Sequence, residues 1–127
     1  TERIVDEISK APGQSYLVAC VVDLHFFNDF TFNYFAQLKY SKYRFYGTYH
    51  FSQLAGALYL LNQSDFVIVK AGYSGGLGFA KEHQVKLRTF IMNNSNIFQE
   101  YARMKTTDND EIIIYKRISS FLQTIQQ

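Results

Sequence analysis

The 127-residue chain has no tryptophan, one proline and one cysteine. A lone cysteine excludes an internal disulfide framework, and Cys20 stands in an apolar run where a buried structural thiol is expected. The formal net charge is only +2, too small to direct the chain to nucleic acid or to a membrane surface by charge. No apolar stretch approaches the ~20 residues needed to span a bilayer. No signal-peptide pattern opens the chain, so a cytoplasmic, reducing location is the expectation; the start at Thr1 leaves room for upstream sequence. His, Cys and carboxylates do not cluster at ligand spacing, so neither a metal nor a cofactor is expected.

What is present is apolar and aromatic. Apolar residues make up 47% and charged residues 19%, the balance of a globular chain, and the length suits one domain over residues 1–127. Tyr and Phe together number 22, so burying even half of them would supply much of the folding free energy.

Two continuous apolar runs without alternation, 15–22 (SYLVACVV) and 66–71 (FVIVKA), read as strands covered on both faces, as in parallel sheets. Further strands are expected at 43–49, 87–92 and 111–116. Helices are expected at 1–11, 28–41, 52–62, 77–86 and 97–105, with a last one carrying Ile118, Phe121, Leu122 and Ile125. In the second helix Phe30, Tyr34 and Leu38 recur at helical spacing, with Asn28 or Asp29 as its cap. Strand–helix alternation of this kind predicts a three-layer α/β domain, Rossmann-like or flavodoxin-like. Its mainly parallel sheet would have about five strands, in the order 2-1-3-4-5.

In such sheets ligands bind beyond the carboxyl ends of the strands, where the strand order reverses. The first strand is followed by Asp23, His25 and Phe26, and the third by Lys70, Gly72, Tyr73, Ser74, Gly75 and Gly76. Four of the seven glycines fall at 72–78, which suits a turn whose backbone approaches a ligand closely. The helix after it would offer free N–H groups to a phosphate or carboxylate. Neither a Walker A nor a GxGxxG pattern is completed there. Asp23 and His25, two apart in an extended segment, would point to the same side, the geometry of a carboxylate–imidazole pair or of two metal ligands. Phe26, Phe27, Phe30, Phe32, Tyr34 and Phe35 cannot share one helical face, so some must meet a pocket, a partner (a second copy of the chain included) or a neighbouring helix, with ordinary core packing expected for most of them.

The stretch 60–91 carries Ser64-Asp65 before the apolar strand and Ser74-Gly75 in the loop. Leu77-Gly78-Phe79-Ala80 opens the next helix. In these features it resembles nucleoside 2-deoxyribosyltransferase-like and TIR-like nucleotide-binding domains. The resemblance implies a Rossmann-type fold and a nucleotide or nucleoside ligand. It also implies a catalytic glutamate just after the Ser-Gly turn, acting at the ribosyl carbon; here that span reads Gly76-Leu77-Gly78 and the nearest acid is Glu82. The expected function is binding of a nucleotide or nucleoside derivative, with action on a glycosidic bond. Asp23, His25 and Glu82 would be catalytic. Lys70, Gly72, Tyr73, Ser74, Gly75, Gly76 and Phe26 would hold the ligand. The competing expectation is a non-catalytic protein–protein interaction domain: an immunity protein, an adaptor or an assembly subunit.

Overall fold

The computed structural model describes residues 1–24, 27–72, 79–107 and 109–122. The two apolar runs form the middle of an open five-stranded sheet. β1 (Leu17–Val21) and β3 (Phe66–Lys70) lie side by side and parallel, with Val18 beside Phe66 and Val21 beside Val69. β2 (Arg44–Gly47) runs parallel along the other side of β1. On the far side, β5 (Glu111–Arg117) pairs antiparallel with β3, and β4 (Phe98–Lys105) pairs antiparallel with β5. The order is β2-β1-β3-β5-β4.

Alternate residues of the central strands point to opposite faces, and both faces are covered. One face packs α1 (Glu2–Ser9) and α2 (Asp29–Leu38) through Ile4, Val5, Ile8, Phe32 and Ala36 onto Val18, Cys20, Phe66 and Ile68. The other packs α3 (Leu54–Gln63) and α4 (Phe79–Met92) through Leu60, Leu61, Leu87 and Ile91 onto Ala19, Val21, Val67 and Val69. This is the three-layer α/β arrangement that the strand runs imply. No helix among the described residues is long and apolar enough to cross a membrane.

The sheet is mixed, which corrects the expectation of a mainly parallel one with the order 2-1-3-4-5. The difference arises after residue 86. Residues 87–92 continue α4 and do not form a strand, because Gln84, Leu87 and Ile91 fall at helical spacing and are buried together. Residues 97–105, expected as a helix, supply β4 instead. A β-bulge explains the false period. Glu100 pairs with Tyr115 and Ala102 with Ile114, so Tyr101 is the extra residue. The bulge turns Tyr101 toward α1, where its hydroxyl donates to the Glu7 carbonyl at 3.2 Å and its ring lies 4.9 Å from that of Phe66. Tyr101 and Met104 thus share one face at a three-residue spacing, while Phe98 packs on the other face of the sheet.

The expected C-terminal helix does not form over residues 118–122. That segment has no regular secondary structure and is tied to α3, with the backbone N–H groups of Phe121 and Leu122 donating to Asn62 Oδ1 at 2.9 and 3.3 Å. Ile125 lies outside the described residues. At the N-terminal edge of the sheet, the Asp65 carboxylate accepts from the backbone N–H groups of Gln14, Ser15 and Tyr16, fixing the entry to β1.

Candidate functional site

Three parallel strands end at one edge, so the segments after β1, β2 and β3 emerge beside one another. Asp23 follows β1, the turn Thr48–His50 follows β2, and Ala71 and Gly72 follow β3.

The segment after β1 is pinched where Leu24 and Phe27 exchange backbone hydrogen bonds of 3.0 and 2.9 Å. His25 and Phe26 lie outside the described residues. Asp23 is half-buried. Burial pushes its carboxyl above the ordinary carboxylate range, the nearby Asp29 charge adds to the rise, and His50 opposes it. Asp23 therefore shares an electrostatic neighbourhood with Asp29, which the sequence offered only as a helix cap, and with His50.

Those two, with Tyr49, form the most connected polar group at this edge. Asn28 caps α2, its side chain accepting from the Thr31 N–H at 3.2 Å. Asp29, one residue later, is freed from capping and turns inward, where it is buried. Its carboxylate accepts from the Gly47 N–H at 2.9 Å, the Tyr49 hydroxyl at 2.7 Å and His50 Nε2 at 2.7 Å. The Tyr49 hydroxyl accepts in turn from the Asp29 N–H at 3.0 Å. A carboxylate only accepts, so Nε2 of His50 carries a proton and, in the neutral ring, Nδ1 carries the lone pair. Burial raises the Tyr49 hydroxyl far above its usual value; the bond it accepts from the Asp29 N–H works against this, and its own bond to the Asp29 carboxylate adds to it, which keeps it a donor. For Cys20, burial first and then the Asp29 charge push the thiol up and hold it protonated.

The exit of β3 is built differently. Lys70 is buried, and its ammonium lies 2.5 Å from Asp110 Oδ2. Asp110 also accepts from the Gly72 N–H at 2.9 Å, and Arg88 donates to the Lys70 and Gly72 carbonyls at 3.2 and 2.6 Å. A Cβ at position 72 would run into the Asp110 carboxylate. The ammonium of Lys70 and the amide of Gly72 therefore anchor the base of the glycine loop. Tyr73, Ser74, Gly75 and Gly76 lie outside the described residues. Glu82 sits in the first turn of α4 with its side chain 69% exposed, 3.3 Å from Lys86, and joins none of the hydrogen bonds around Asp29.

Among the described residues, no three His, Cys, Asp or Glu side chains group closely enough to hold a metal ion. The Asp29–His50 pair was detectable in one respect. Both residues stand at element ends on the edge to which parallel β1 and β2 point, although 21 positions separate them. No family model, curated protein or solved structure matches this chain.

Proposed function

We propose that the edge formed by the ends of β1, β2 and β3 binds a nucleotide or nucleoside derivative, and that the reaction its polar groups suit is cleavage of the glycosidic bond. The observation that carries this reading is the parallel pairing of β1 with β3. It brings Asp23 and the start of the glycine loop to one edge, next to the Asp29–His50 pair. A half-buried carboxylate and an oriented imidazole are the acid and base that displacement at a sugar carbon needs. Asp23 suits the carboxylate role better than Glu82, whose charge is solvated and paired with Lys86.

The test is a thermal-shift screen against nucleotides and nucleosides, followed by chromatography for released base. A ligand at about 100 times its Kd adds about 2.7 kcal/mol, a rise in Tm of about 10 °C for a domain of this size. No shift with any nucleotide contradicts the reading. A shift without released base limits it to binding.

A second reading, a protein-interaction domain, has its own observation. The repeat of Phe30, Tyr34 and Leu38 lies on the solvent side of α2, while Asp29, Phe32 and Ala36 make the buried side. Light scattering on the purified chain tests it: self-association that is lost in Tyr34→Ser supports an interface on α2, and a monomer at all concentrations argues against pairing through it.

A further inference from the structure

His50 is gripped on one side only. Its Nε2–H is committed to Asp29, and no hydrogen bond reaches Nδ1 among the described residues. Around the ring stand three aromatic side chains from separate parts of the fold. Tyr49 is 4.8 Å away between centroids and is itself tied to Asp29. Phe30 of α2 is 6.1 Å away at 87°, and Tyr46 of β2 is 5.1 Å away at 59°. Phe30 is 72% and Tyr46 46% exposed, and the His50 side chain is 33% exposed. Core packing accounts for none of that exposure. Large aromatic groups that converge on a partly open imidazole while staying partly in water themselves offer a stacking surface.

We propose that Phe30, Tyr46 and His50 form the base subsite of the ligand, taking a planar nitrogen heterocycle that carries an amino group. This rests on the nucleotide reading of the neighbouring edge. The tautomer calls for a donor, and an exocyclic amine supplies one. With Nε2–H held by a carboxylate, Nδ1 of the neutral ring is an acceptor, and a ligand edge must present a donor to it. The exocyclic amines of adenine and cytosine meet that need; unsubstituted purine does not. Asp29 is here a positioning residue, since it fixes which imidazole nitrogen faces the ligand.

The experiment uses the chain labelled with ¹⁵N-histidine, with long-range ¹H–¹⁵N spectra recorded during titration with AMP, CMP and purine riboside 5′-monophosphate. His50→Gln identifies the resonance among the three histidines. The expected result is a saturable shift of His50 Nδ1 with AMP or CMP, and binding at least tenfold weaker for the purine compound, which leaves that acceptor unpaired. Phe30→Ala, at an exposed position, should weaken the same ligand at least fivefold with Tm unchanged. AMP or CMP binding without movement of His50 Nδ1, equal binding of the purine compound, or no loss in Phe30→Ala overturns the subsite and spares the edge. Binding of some other nucleotide while AMP and CMP fail has the same meaning. If nothing in the wider nucleotide panel binds, the subsite and the edge reading fall together.

Discussion

His50 Nε2 lies 2.7 Å from Oδ2 of Asp29 because the chain after β2 returns to the same edge as the chain after β1. The carboxylate holds three donors at once, from Gly47, Tyr49 and His50. Asp29→Ala would leave the buried ones without an acceptor and should cost about 3 kcal/mol of stability, each orphaned donor being worth about 1–3 kcal/mol. Asp29→Asn, which keeps one acceptor oxygen, should cost less. Urea unfolding of both variants measures the difference; equal stabilities for Ala and wild type would show that the cluster contributes nothing to the fold.

Gly47 lets the Tyr49 ring lie across its backbone, since a Cβ there would overlap that ring. Gly47→Ala should therefore displace Tyr49 from Asp29 and lower Tm. In a Tyr49→Ala background the same substitution should cost little, because the obstacle is gone. A double-mutant cycle by thermal denaturation reads this coupling. Additive losses would place the cause in the backbone.

The Lys70–Asp110 pair sets an acid limit. The Lys70 ammonium, helped by the Glu111 and Gly72 N–H groups, holds the Asp110 carboxyl below the ordinary range. In the unfolded chain that group returns to about 3.9. Its folded-state pKa is depressed, so its contribution is complete above the unfolded value and disappears as pH falls through the folded one. Asp110→Asn should thus lower Tm at pH 7, with the gap to wild type narrowing below about pH 4. Melts at pH 7, 5 and 3.5 test this, and a gap constant across that range would contradict it.

Cys20 is fully enclosed, and burial pushes its thiol well above the usual value. Ellman's reagent at pH 8 should leave the native protein unreacted and titrate one thiol in guanidinium. Stoichiometric reaction of the native chain within minutes would show that β1 opens readily.

The parts of the fold that were legible in sequence are those whose burial is uniform. Val18 to Val22 and Phe66 to Val69 are covered on both faces, so an unbroken apolar run announces each strand. β4 was hidden because one bulge at Tyr101 resets its alternation, so that Tyr101 and Met104 fall on one face three residues apart, as they would in a helix. On α2 the apolar repeat of Phe30, Tyr34 and Leu38 marks the exposed side, while the buried side opens with a carboxylate. Asp29 and His50 acquire meaning only through the pairing of β1 with β2, a contact that no local pattern encodes. Asp23 was visible because it directly follows an unmistakable strand.

Backbone amide ¹H–¹⁵N spectra recorded during titration with AMP or CMP test the central claim, binding at the edge where β1, β2 and β3 end, most directly. The account predicts saturable shifts at Asp23, at Gly47 to His50, and at Ala71 and Gly72. Gln14, Ser15, Asp65 and Arg117, at the opposite end of the sheet, should stay in place. Shifts confined to that opposite end, or none with AMP, CMP or any other nucleotide of the panel, would contradict it.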